Sequence, residues 1–140
     1  MRRVLKRRPP ANISPPHQQP CSMVQAAAQF KVSLAALAEP ERKQHARDSF
    51  DSLHKEKLRE ALCTEQHGLC VYCESRVKAT NPQHTVEHWN AISHDPELAL
   101  EWKNLYLSCA TRDTCDRAKG SRKLAYSDAH PSLPWPAEFA

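Results

Sequence analysis

The sequence predicts an α+β fold: a helical first half, then a short, cysteine-pinned, β-rich core closed by a short helix. Three observations carry that expectation. An alanine- and leucine-rich run after Cys21 and a charged amphipathic run ending at Gln66 both repeat their apolar residues at helical spacing. At Gly68 the texture changes, and Leu69-Cys-Val-Tyr-Cys-Glu-Ser-Arg-Val77 is short and rich in β-formers. From Cys70 to Gly120, two cysteine pairs bracket Glu87-His88, Asn104 and Asp116.

At 140 residues the chain fits one domain with a modest core. Mean hydropathy is -0.71, so the core is small and a bound metal would supplement it. Eleven prolines against two glycines are unevenly spread. The prolines crowd the two ends, which divides the chain into a basic, proline-rich arm (1–20), a helical region (21–66), a core (67–124) and an extended tail (125–140).

The arm has prolines at 9, 10, 15, 16 and 20 and no apolar period. It is expected to be extended or disordered, since proline cannot supply helical hydrogen bonds. Its cations, Arg2, Arg3, Lys6, Arg7 and Arg8, suit a nucleic acid or protein partner, or serve only solubility. A second basic cluster, Arg112, Arg117, Lys119, Arg122 and Lys123, faces Asp113 and Asp116. The net charge of +4 is mild; its distribution suits phosphate neutralisation, and a solvated surface explains it equally well.

Ser22 is placed to cap a first helix that ends before Pro40, with Met23, Ala27, Phe30, Leu34 and Leu37 on one stripe. A second helix is expected from about Asp48 to Gln66, with Phe50, Leu53, Leu58, Ala61 and Leu62 on one face and an Asp51–Lys55 pair. Gly68 would end it in a left-handed cap. Cys63 reads as core and Cys21 as an ordinary thiol; His45, His54 and His67 read as surface or satisfied histidines. Thr85 to Trp89 reads as a strand end and Asn90 to Pro96 as a loop. Glu97 to Leu107 reads as short helical or irregular chain, and Thr114 to Lys123 as a short helix.

Six cysteines raise the question of disulfides. The basic start runs into Pro9-Pro10 and polar sequence, unlike a secretory signal, and no span reaches membrane length. A reducing cytoplasm is therefore expected, where paired cysteines hold metal more often than disulfides. Cys70 and Cys73 form a two-residue-spaced knuckle, and Cys109 and Cys115 would complete a four-thiolate structural zinc site. Five residues separate Cys109 from Cys115, a wider loop than usual, so His67 and His84 stand as alternative fourth ligands.

Between the pairs lies chemistry suited to phosphodiester hydrolysis. A histidine near its ordinary pKa can take a proton from water, and a hard divalent cation such as Mg²⁺ neutralises phosphate charge while taking few protein oxygens. Glu87 would turn to that cation while His88 addresses the water, and Asp116, one step past Cys115, would reach the cation from the closing helix.

The order Cys-x-x-Cys, Glu-His, Asn-Leu, Cys, Cys-Asp-x-x-Lys-Gly resembles the zinc-containing HNH endonucleases. More narrowly, Met-Arg-Arg-Val-Leu-Lys at the start, Leu-x-x-Glu-Gln-His-Gly-Leu-Cys-Val-Tyr-Cys-Glu, and the Cys-Asp-x-x-Lys-Gly close look like the PtuB-like HNH subunit of the Septu and retron-associated anti-phage systems. The resemblance covers most of residues 45–124 and, more loosely, the first ten. It implies a ββα-metal (His-Me finger) core and a bacterial, cytoplasmic DNA endonuclease using Mg²⁺ or Mn²⁺ beside a PtuA-like ABC-type ATPase. By position it makes His88 the general base, Glu87 and Asp116 the cation ligands, and Asn104 the brace of the loop around the histidine. It makes Cys70, Cys73, Cys109 and Cys115 the zinc ligands, with Arg117 or Lys119 on phosphate. Many HNH enzymes have Asn or His where Asp116 stands, and relatives often continue beyond the point where this chain stops. The alternatives are a zinc module that binds nucleic acid or protein without cleaving, and a structural partner of an ATPase that docks through the alanine-rich helix.

Overall fold

The computed structural model describes residues 4–15 and 18–110. In order these form α1 (Met23–Ala35), α2 (Glu41–Asp51), α3 (Lys55–Glu65), β1 (Thr85–His88), short 3-10 turns at Pro96–Leu98 and Trp102–Asn104, and β2 (Leu105–Ser108). The closing helix expected at 114–123 and the tail at 125–140 lie outside the described residues.

Helix α1 starts where the sequence places it. Ser22 Oγ accepts from the Gln25 N–H at 3.1 Å, and Gln25 Oε1 accepts from the Ser22 N–H at 2.9 Å, a reciprocal capping box. Met23, Phe30 and Leu34 of the predicted stripe are buried. The helix stops at Ala35, short of Pro40, with the Leu34 carbonyl taken by the Leu37 N–H and by Arg42 Nη1.

The single second helix expected over 48–66 is two helices. The charged segment before Asp48 is already helical from Glu41, and the chain breaks at Ser52–His54. Lys55 explains the break locally: its ammonium bonds the carbonyls of Phe50 and Leu53 and lies over the Phe50 ring. It satisfies the carbonyl end of α2 instead of pairing along one helix with Asp51. The predicted apolar face survives across the break, since Phe50, Leu58 and Leu62 are buried and Leu53 and Ala61 pack against the same core.

Helix α3 ends in a two-bond cap. The His67 N–H reaches Thr64 O at 3.2 Å and the Gly68 N–H reaches Cys63 O at 2.9 Å, the Schellman pattern. Both His67 and Gly68 have left-handed φ, +55° and +72°, so the expected glycine cap is shared with a histidine.

Strands β1 and β2 pair antiparallel, Thr85 with Ser108, Val86 with Leu107, Glu87 with Tyr106 and His88 with Leu105. The second strand was expected as irregular chain. Its burial at all four positions removes the polar alternation that marks a half-exposed strand. A two-stranded sheet is marginal alone, and its outer edge is closed by side chains. Gln66 Oε1 accepts from the Leu107 N–H at 2.7 Å and Gln66 Nε2 donates to Leu107 O at 2.8 Å. The Val71 N–H shares that carbonyl at 3.2 Å, and Lys6 Nζ takes Leu105 O at 2.8 Å.

The arm is extended as expected but is not a solvated tail. Val4 and Ile13 are buried, and the Met23 N–H bonds Pro10 O at 3.1 Å. Lys6, counted among the cations open to a polyanion, is buried instead. It pairs with Glu65 Oε2 at 2.7 Å and lies 4.6 Å and 4.5 Å from the ring centres of Trp102 and Tyr106. Among the described residues no helix is long and apolar enough to cross a membrane.

Candidate metal and hydrolytic site

Cys70 and Cys73 sit in a tight turn flanked by the Leu69–Arg76 bridge. It is held by Cys70 N–H to Ser75 O at 2.8 Å and Glu74 N–H to Cys70 O at 3.1 Å, with Glu74 left-handed at φ +63°. Cys109 follows β2 directly, and the Val71 bond to Leu107 docks the turn on that strand, so the three thiols converge. Their sulfurs all lie within 4.8 Å of one another, and Cys73 Sγ is 3.7 Å from Cys109 Sγ. A disulfide needs about 2.05 Å. Four thiolates on zinc at about 2.3 Å place their sulfurs about 3.8 Å apart. The spacing fits a shared metal.

The surroundings of the cluster also suit a cation. Burial pushes the Cys70 thiol above its ordinary value, against the pull of the Cys73 and Cys109 N–H groups and the Ser108 hydroxyl. A facing cation reverses that balance and favours the thiolate. The Cys109 N–H donates to Cys70 Sγ at 3.4 Å, orienting a sulfur as outer-sphere donors do. Neither His67 nor His84 joins the cluster among the described residues. His84 Nδ1 accepts from the Lys78 N–H at 2.8 Å and closes the 78–84 loop instead. The fourth ligand expected from sequence, Cys115, lies outside the described residues.

Neighbours on β1 face opposite ways, and the two candidate groups of that strand do so. His88 lies half-buried on the face of Val86, with the Phe50 ring of α2 edge-on at 4.4 Å. Its Nε2 lies 2.8 Å from Ala99 O. A carbonyl only accepts, so that nitrogen carries the hydrogen, and the neutral ring has its lone pair on Nδ1.

Glu87 is 2 % exposed on the other face, paired across the ladder with Tyr106. A carboxylate buried to that degree needs partners, and Glu87 is not without one. On the same side Trp89 stacks on Tyr72 of the cysteine turn and meets Tyr106 edge-on. Glu87 offers a cation hard oxygen donors; Asp116, expected as the second acidic ligand, lies outside the described residues, as do Arg117 and Lys119.

Asn104 is buried and ties together the base of the segment joining β1 to β2. Its Oδ1 accepts from the Asn90 N–H at 2.8 Å, and its Nδ2 donates to Asn90 O at 3.0 Å and Leu98 O at 3.2 Å. The Leu98 bond fixes the residue beside Ala99, which holds His88. Sequence reasoning missed Lys6, Glu65, Gln66 and Trp102 around this site. Glu65-Gln66 reads as an ordinary polar helix end, and Val4-Leu5 is the only apolar hint in the basic run.

A hairpin with three converging thiols, an acidic residue and a histidine offers donor groups of the kind that metal-binding domains use. A family model described as HNH endonuclease matches residues 70–122, the stretch that holds the thiols, Glu87, His88 and Asn104. No curated protein and no solved structure matches the chain.

Proposed function

We propose that this chain is a metal-dependent endonuclease that hydrolyses phosphodiester bonds in DNA. The observation that carries the proposal is the coincidence, within the HNH match at 70–122, of a histidine whose ring is held by the Ala99 carbonyl and a cluster of three cysteine thiols. Cys70, Cys73 and Cys109, with Cys115 as fourth ligand, would hold a structural zinc, whose tetrahedral bonding would stiffen the hairpin. His88 takes the proton of the attacking water at Nδ1, while its Nε2 bond to Ala99 fixes the ring's aim. Asn104 keeps the Ala99 segment in place through Leu98. Glu87 and Asp116 would hold a Mg²⁺ or Mn²⁺ ion, which would supply charge neutralisation at the phosphate. Arg117 and Lys119 contact phosphate.

The resemblance of the sequence motifs to those of the PtuB-like proteins extends the proposal to an anti-phage role in a bacterial cytoplasm, beside a PtuA-like ABC-type ATPase. The test is a plasmid nicking assay across divalent cations, with and without the ATPase. His88→Ala is expected to lower cleavage by about 10²–10⁴-fold with zinc content and folding retained. Equal nicking by wild type and His88→Ala sinks the enzyme and favours a zinc module that only binds.

A further inference from the structure

We propose that Lys6 and Glu65 are a buried positioning couple for His88. This inference rests on the nuclease reading and goes beyond it, because both residues lie outside the stretch that matches the family.

Two routes run from the couple to the histidine. Lys6 Nζ donates to Leu105 O at 2.8 Å, and Leu105 is the cross-strand partner of His88. Glu65 Oε1 accepts from Trp102 Nε1 at 3.2 Å and from the Arg7 N–H at 2.6 Å. Trp102 opens the turn that delivers Asn104, whose amide holds Leu98 next to Ala99. Ala99 O in turn holds His88 Nε2. Strand and loop are thus both anchored to one ion pair, whose side chains are only 6 % and 3 % exposed.

Stability alone gives little reason for charge here. An apolar pair of similar volume would pack as well or better, because desolvating two ions offsets their attraction. What the ammonium adds is direction: its donors reach one carboxylate and one carbonyl while two aromatic faces flank the charge itself. Neither side chain touches the reacting atoms; both act through the segments that carry His88.

The test uses the full chain as wild type, Lys6→Met, Lys6→Arg and the double variant Lys6→Met/Glu65→Leu. Plasmid nicking with Mg²⁺ gives kcat and KM, metal analysis gives zinc, and ring resonances of His88 are followed by NMR against pH. In Lys6→Met and in the double variant kcat should fall about 10- to 100-fold, as expected for a displaced catalytic group. The KM for DNA and the zinc content should stay unchanged, and the His88 resonances should shift. Lys6→Arg should recover most of the rate. The double variant keeps the fold apolar and intact if Lys6→Met alone unfolds. Wild-type kcat in a folded double variant overturns the proposal, and so does a loss confined to KM, which would make Lys6 a DNA contact. If wild type cuts no DNA, the nuclease reading fails on its own. The couple is then judged by NMR: unmoved His88 resonances in the folded double variant overturn it, and a shift upholds it.

Discussion

The two faces of the β1–β2 hairpin are both buried, yet they are covered by different parts of the chain. The face of Val86, His88, Leu105 and Leu107 lies against the helices, in the larger apolar cluster with Met23, Phe30, Phe50, Leu58 and Leu62. The face of Glu87 and Tyr106 lies against the arm and the cysteine turn, in a smaller cluster of Val4, Val71, Trp89 and Tyr106. The first is held by packing and a few directed bonds. The second joins aromatic stacking to buried charge, and the cysteine turn lies between the two, with Cys70 and Cys109 in the larger cluster and Val71 in the smaller. A strand four residues long thus carries a histidine into the hydrophobic side and a carboxylate into the polar side. The contrast teaches that the matched segment is not self-supporting: helices cover one side of it and the arm the other.

Removing a thiol should separate the two faces most strongly. In Cys109→Ser, zinc is expected to fall from about one per chain to well below it, since three soft ligands remain at best. The aromatic stack of Trp89 and Tyr72, built on the cysteine turn, should loosen and lose near-ultraviolet circular dichroism. The helical far-ultraviolet signal should persist, because serine nearly matches cysteine in volume and leaves the apolar packing of α1–α3 in place. Joint collapse of both signals would mean that the hairpin responds as one unit, and the distinction between its faces would be lost.

Asn104→Ala probes the bond that serves both sides. It leaves the Asn90 N–H and the carbonyls of Asn90 and Leu98 without their side-chain partner. A buried group left unsatisfied costs about 1–3 kcal/mol, so the urea midpoint should drop by a stability loss of that order. Nicking should fall with it through displacement of Ala99. Asn104→Asp keeps the acceptor and loses the donor, so it should fall between Ala and wild type. An unchanged midpoint in Asn104→Ala would mean that the segment joining the strands holds itself without the amide.

Local signals were legible in the sequence, and long-range ones were not. Ser22 as a cap, the stripe of α1 from Met23 to Leu34, Gly68 and the Cys70–Cys73 spacing act within a few residues, and each falls as expected, while Leu37 lies past the end of the helix. The break at Ser52–His54 was hidden because apolar positions continue in helical register across it, while Lys55 ends α2 by bonding carbonyls behind it. Strand β2 was hidden because burial on both faces erases alternation. The roles of Gln66 and Lys6 depend on partners at Leu107 and Leu105, far along the chain. Nothing in a helix-end glutamine or a lysine within a basic run announces such a partner.

The smallest expected effect tests how charge is tolerated on the polar face. Burial lowers the Lys6 pKa from its ordinary 10.5 and outweighs the pull of Glu65. Between that lowered value and 10.5 the unfolded chain binds more protons than the folded one, so the contribution of Lys6 to stability rises with pH. Below the folded pKa both states are protonated and the contribution is flat. Lys55 is shifted the same way, by burial first, so the comparison must be differential. Urea midpoints of wild type minus those of Lys6→Met, followed from neutral pH towards 10.5, should therefore grow with pH. A difference that shrinks instead would mean that Glu65, Leu105 O and the two rings stabilise the ammonium more than burial penalises it. The polar face would then favour the charge on Lys6 instead of tolerating it at a cost.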